Sequence, residues 1–294
     1  MTTTRTSGAI PAERKPRDDE IDFYGLTHTG NVRKVNQDHF LICQLEKRVR
    51  VFETSLPDGD AFGPVGERMA FLAMVADGVG GGSKGEAAAR LALQAVTEYV
   101  AISMRCYHTL DASDDMTFLN ELQEAAWKGH ARVVAEAEGD PELHGMATTL
   151  TLWLAVWPKA YLLQIGDSRF YTFHDNKLTR LSRDQTMAEE LVDSGVLSRT
   201  EAGQSRFAHI LSSSLGGSQT APQVTRMEQA WDQPGLLCSD GLTKHVSDAR
   251  IKEVLSTMTS SKQACEQLLQ DALDGGGSDN ITILIGRSVK KGDG

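Results

Sequence analysis

Apolar positions along the chain give the first outline. Gly85 to Arg105 places alanines and leucines at helical spacing, with Leu91, Ala95 and Tyr99 recurring on one face, and this predicts a long helix. Asp114 and Asp115 then precede Met116, Leu119, Leu122, Ala126 and Val133, an amphipathic series whose acids stand at the positive end of a helix dipole. Thr149 to Val156 (TLTLWLAV), then YLLQIG beyond Pro158 and RFYTFH beyond GDS, have the composition of successive strands. They predict an antiparallel meander, with Asp175-Asn176 closing one hairpin. GLLCS near 235 and NITILIG near 280 read as further buried strands, separated by two shorter helices at about 247–256 and 260–273.

Between these elements the pattern is weaker. Residues 1–20 show no apolar period and hold Pro11 and Pro16 among mixed charges, which predicts a disordered leader with structure beginning at Ile21. Pro57-Asp58-Gly59 and Gly63-Pro64 mark a surface excursion over about 46–68. Residues 184–219 mix a short helical pattern with Gly, Ser and Thr and are expected to form a flap. No repeat recurs at a fixed period, so the expectation is one α+β domain over 21–290.

Composition narrows the function classes. With 294 residues, 40% hydrophobic and 24% charged, the chain falls in the ordinary globular range. A formal charge of -10 opposes attraction to nucleic acid or to an anionic membrane, and no apolar leader segment precedes the body. Cys43, Cys106, Cys238 and Cys265 form no CxxC pair, which fits reduced thiols in a cytoplasmic protein, expected as a monomer.

The informative pattern is an aspartate at the edge of one apolar stretch after another, each beside Gly, Ser or Asn. These are Asp38 in NQD, Asp77 in VADG, Asp167 in QIGDS, Asp240 in CSDG and Asp279 in GSDN. Any one alone reads as a turn residue bonding its own backbone. If the strands lie side by side, however, the carboxylates meet at one end, raise each other's pKa and require a positive partner. Oxygen ligands suit Mg²⁺ or Mn²⁺, and none of the eight histidines sits in an HxH or HExxH arrangement that would favour zinc. Two such ions roughly 3.5–4 Å apart can activate a shared water for in-line attack on phosphorus. Arg33, five residues before Asp38, offers a planar fork for phosphoryl oxygens.

In order along about 260 residues, GLTHTGNVRKVNQD, VADGVGG, GMATTL, IGDSR, CSDGL and SDN resemble the motifs of the metal-dependent serine/threonine protein phosphatases of type 2C, in their bacterial form. The resemblance implies a four-layer αββα sandwich, with two antiparallel sheets face to face and helices outside, and a binuclear Mn²⁺ or Mg²⁺ centre at one end. It implies that Asp77 bridges both ions with a water between them, that the carbonyl of Gly78 binds one, that Asp240 and Asp279 complete the ligands of the first ion, and that Asp38 serves the second, directly or through water. Asp167 resembles a ligand for a third, weaker ion, Arg33 the phosphate-binding arginine, and Thr148 and Thr149 a structural pair, with Asn280 beside Asp279. The implied substrates are phosphoproteins made by a serine/threonine kinase.

Some positions depart from the family pattern. Gln37 stands where many relatives carry Glu, Gln185 where a histidine is frequent, and Val79 and Gly82 where histidines proposed as general acids occur, so protonation of the leaving group is left to water. A catalytically silent regulatory member and a phosphatase of small metabolites are the alternatives. Gly80 to Gly85 also fits GxGxxG, but the helical segment that follows the first helix argues against a dinucleotide fold. Ser278-Asp279-Asn280 matches the SDN of serine β-lactamases without their SxxK or KTG.

Overall fold

A computed structural model describes residues 14–47, 67–81, 83–106 and 115–291. Gly82 and nearly all of the 46–68 excursion lie outside them, as do the first thirteen residues of the expected leader. Its last part is folded: Arg14 grips both carboxylate oxygens of Glu20 at 2.6 Å, and Glu20 is 1% exposed. That hydrogen-bonded pair holds the Glu20 carboxyl well below the usual range despite burial. The folded body therefore starts before Ile21.

Two antiparallel sheets form the middle of the molecule. In one, β1 (Ile21–His28), β11 (Ile281–Ser288), β10 (Gly235–Cys238), β7 (Arg169–His174) and β8 (Lys177–Arg180) lie side by side in that order. In the other the order is β2 (Asp38–Lys47), β3 (Glu67–Val79), β5 (Leu150–Val156), β6 (Lys159–Ile165) and β9 (Gln223–Glu228), while the short β4 (Ala147–Thr148) pairs with the end of β3. Both faces of each sheet are covered. Leu72, Met74 and Ala76 of β3 face α1 (Ser83–Cys106) and α2 (Asp115–Gly139), while Ala73 and Val75 between them face the other sheet. The same alternation sends Leu236, Cys238, Ile283 and Ile285 to α6 (Asp248–Thr257) and α7 (Ser261–Asp274), and Leu237 and Leu284 inward. A period of two with apolar residues at both phases is what a strand buried on two sides requires, and the result is the expected αββα sandwich.

The core face of α1 is centred on Ala88, Ala92, Val96 and Val100, with Leu91 buried beside it and Tyr99 packed against it, because small alanines let the helix approach the sheet closely. One further expectation needs correction: the meander is broken. β5 and β6 form a hairpin, but β7 leaves for the other sheet, where it pairs with β8 and β10. The hairpin at Asp175-Asn176 is present, with φ of 48° and 57°, the pattern of a type I′ turn.

The crossing between sheets is made at Gly166, whose φ is +98° and whose missing side chain lets Thr149 pack against it. A Cβ there would lie 2.5 Å from Thr149 Cγ2. Gly166→Ala should therefore destabilise the protein by about 1–3 kcal/mol in urea unfolding, and an unchanged midpoint would show that the crossing tolerates a side chain.

Candidate metal centre

The sheet register alone brings the first two acids together. In the β2–β3 pairing Asp38 stands directly opposite Asp77. Residues so placed have side chains a few ångströms apart on one face, an arrangement that is unfavourable for like charges. Asp240 opens the short helix α5 (Asp240–Thr243) directly after β10, Asp279 and Asn280 immediately precede β11, and Asp167 lies in the turn from β6 to β7. All five acids thus occupy the same end of the sandwich.

Hydroxyls and backbone fix these carboxylates. Asp38 is 2% exposed, and its Oδ2 accepts from Ser239 Oγ and Thr282 Oγ1, each at 2.7 Å, both carried by the opposite sheet. Its Oδ1 is buried with no hydrogen-bond partner. The threonine pair holds Asp77: the Asp77 N–H donates to Thr149 Oγ1 at 3.0 Å, while the Thr149 N–H and Thr148 Oγ1 both donate to the Asp77 carbonyl at 2.9 Å. Gly78 packs directly on the backbone of Gly85 at the start of α1, where any Cβ would collide.

Two cations stand among the acids. Arg33 forks onto Asp279, with Nε to Oδ1 at 2.7 Å and an Nη to Oδ2 at 3.0 Å. Lys244 places Nζ 2.7 Å from Oδ2 of both Asp240 and Asp279, so those two carboxylates share one ammonium. Among the described residues no three Asp, Glu, His or Cys side chains already close on one point. The sequence reading placed Arg33 here but as a phosphate ligand, and it missed Lys244, although a lysine four residues after Asp240 on a helical turn returns to the same face. The loop bearing Arg33 hangs from Asn280, whose Nδ2 donates to the carbonyls of Thr29 and Val35 at 3.0 Å and whose Oδ1 accepts from the Gln37 N–H at 2.9 Å. The Gln37 amide in turn donates to the Gly80 carbonyl at 2.8 Å, bracing the glycine turn.

Asp167 is 9% exposed and lines a groove with Arg169, Asp184, Asp240 and Lys244. The segment expected as a flap forms the groove's far wall and carries α3 (Met187–Asp193) and α4 (Arg199–Gln204). Gln185 fastens its base: its Oε1 accepts from the Gly166 N–H at 2.8 Å and its Nε2 donates to the Ala221 carbonyl at 2.9 Å.

The titration behaviour records the crowding. Burial, followed by the charges of Asp38, Asp240, Asp167 and Asp279, pushes Asp77 far above the ordinary carboxyl value, although its residue surface is only partly buried. Burial raises Asp38 to about 6 against the bonds from Ser239 and Thr282, and burial with Asp240 and Asp184 raises Asp167 to about 7. Asp279 moves the other way, because Arg33 and Lys244 outweigh its burial. An all-oxygen donor set, an unpartnered buried oxygen on Asp38 and acids that resist ionising without a cation fit hard divalent ions.

Comparison with known proteins gives one consistent answer. A model of the protein phosphatase 2C family matches residues 50–275, which includes Asp77, Asp167 and Asp240 but stops short of Arg33, Asp38 and Asp279 on either side. The serine/threonine protein phosphatase PstP of Mycobacterium tuberculosis is 35% identical over 214 residues, 73% of this chain, and the chain spans only 40% of that relative's length. The serine/threonine phosphatase stp of Listeria welshimeri is 30% identical over 217 residues, covering 83% of its length. The solved catalytic domain of PstP in complex with two manganese ions superposes with a TM-score of 0.70 at 29% identity, over 92% of this chain and 99% of that one.

These shifts set a sign for stability. In the unfolded chain the aspartates ionise near 4, whereas Asp38 and Asp167 keep their protons in the metal-free fold to about 6 and about 7. The folded state binds more protons across that interval, so metal-free stability should fall as pH rises from about 4 to about 7. The loss should be up to about 7 kcal/mol, since the two shifts together span roughly five tenfold steps in proton affinity, each worth about 1.4 kcal/mol. Urea unfolding of chelator-treated protein measures this; a flat or rising profile would contradict the crowding, and Asp167→Asn should flatten it in part.

Proposed function

The chain belongs to the protein phosphatase 2C family, and on that premise we propose that it hydrolyses phosphoserine and phosphothreonine in proteins with two Mn²⁺ or Mg²⁺ ions at the acidic end of the sandwich. The observation that carries this reading is the register that sets Asp38 opposite Asp77, with a buried oxygen of Asp38 left without a donor. Asp77 would serve both ions and the Gly78 carbonyl one of them, while Asp240 and Asp279 would hold the first ion and Asp38 the second. When bound, the ions supply Lewis acidity that lowers the pKa of water and withdraws charge from phosphoryl oxygens.

The chain's own residues do the positioning. Thr148 and Thr149 clamp the backbone of Asp77 on both sides, so the point from which its side chain leaves the strand is fixed. Ser239 and Thr282 take one oxygen of Asp38 and leave the other, buried and without a hydrogen-bond partner, for a cation. Arg33 is 53% exposed at the mouth, and its planar fork, now on Asp279, is the group that transfers to phosphoryl oxygens when substrate arrives. Leaving-group protonation falls to water, since Val79 occupies a position where a histidine would be needed.

The domain we assign takes in 21–290, with its flap at about 184–219, together with the folded residues from Arg14 that precede it, and acts as a monomer in the cytoplasm on targets of a serine/threonine kinase. A net charge of -10 argues against nucleic acid as a partner, and among the described residues no helix is long and apolar enough to cross a membrane. The intact acids weigh against a silent regulatory member.

Two variants test the assignment. Asp77→Ala should abolish Mn²⁺-dependent release of phosphate from phosphoserine and phosphothreonine peptides, with circular dichroism unchanged; retained turnover would refute the role of Asp77. Arg33→Ala should raise KM roughly 10- to 100-fold with a smaller change in kcat, the loss expected of one charge-assisted phosphate contact. A normal KM would remove Arg33 from substrate binding. Small phosphomonoesters hydrolysed far better than either peptide would redirect the reading to metabolites.

A further inference from the structure

Lys244 is tethered inside the carboxylate cluster by its own helix. Its backbone N–H bonds the Asp240 carbonyl at 2.9 Å, which places residues 240 and 244 on one face of the α5 turn. The side chain is only 23% exposed, and its ammonium reaches Oδ2 of Asp240 and of Asp279 at 2.7 Å. Lys244 also lines the groove that holds Asp167 and Asp240. It thus lies on the side of the cluster where an ion shared by Asp167 and Asp240 would have to enter.

Charge balance points the same way. Asp38, Asp77, Asp167, Asp240 and Asp279 bring five negative charges, which two divalent ions and one ammonium neutralise, leaving the Arg33 guanidinium for the phosphoryl group. A third divalent ion would put an excess of positive charge beside a lysine that cannot leave. Unlike a solvated ion, an ammonium on a short tether is present at a fixed and high local concentration.

We propose that Lys244 is a built-in counter-cation that takes the place of a third divalent ion at Asp167 and holds the centre to two. This rests on the two-ion phosphatase reading and deepens it. It also replaces the expectation from sequence that Asp167 carries a third, weaker ion. Lys244 acts by occupying charge and space; it is not a group that touches the reacting atoms.

The test counts ions and does not depend on turnover. Metal-free parent protein, Lys244→Met and Lys244→Glu are titrated with Mn²⁺ by calorimetry, with free Mn²⁺ followed by electron paramagnetic resonance and folding checked by circular dichroism. The parent should bind two ions, and Lys244→Glu should gain a third that disappears in the Lys244→Glu, Asp167→Asn double variant. Lys244→Met, a neutral side chain of similar length, should tighten the weakest ion on the order of tenfold or more, guarding against a defect peculiar to the acidic variant. A parent that binds three ions, losing one on Asp167→Asn, would overturn the proposal, as would variants that keep the parent's number and affinities. A parent that binds no Mn²⁺ would instead overturn the phosphatase reading itself, and the proposal with it.

Discussion

Asp38 and Asp77 are set against each other by strand register, and that repulsion governs the rest of the site. Strands cannot slide to relieve it, because a shift of one residue would turn every core side chain of β2 outward. The fold answers in three ways. It buries Asp38 fully and Asp77 in part so that they resist ionising, it supplies hydroxyls from the opposite sheet to one oxygen of Asp38, and it places an arginine and a lysine on the neighbouring carboxylates. The two sheets are therefore joined at this end by polar contacts as well as by the apolar seam of Val75, Phe170, Leu237 and Leu284.

Much of this was legible in the sequence, for a physical reason. Turn-forming Gly, Ser and Asn beside each aspartate announce strand ends, and short apolar runs announce strands buried on both faces, so α1, α2, α6, α7 and the strands β5, β6, β7, β10 and β11 fall where periodicity puts them. Which sheet a strand joins is not written in a period of two, and β7 was misplaced for that reason. Nor does a sequence reveal what a side chain will pair with: Arg33 reads as a free fork, while the fold gives it Asp279. Lys244 had a usable signal in its spacing from Asp240, but four-residue spacing has weight only once the short helix after CSD is known.

The supporting residues were harder to read than the ligands. Ser239 and Thr282 look like ordinary strand-end residues until β10 and β11 are seen beside Asp38, more than two hundred positions earlier. Gln185 reads as a departure from a family pattern, yet its amide ties the flap to the turn that carries Asp167. Substitutions at this glutamine would thus alter how the groove's wall sits relative to the acids without touching either.

The clasp between Asn280 and the loop over 29–37 has a bearing on how the protein comes into being. β1 pairs along its whole length with β11, and Arg33 is suspended from residues at 279 and 280. A nascent chain emerging from the ribosome can fold its helices early, because their contacts are local, but this pairing must wait for the last strand. Until then the arginine has no anchor and Asp38 lacks the Thr282 hydroxyl, so the acidic end of the sandwich is completed only when residues more than two hundred positions apart are both in place.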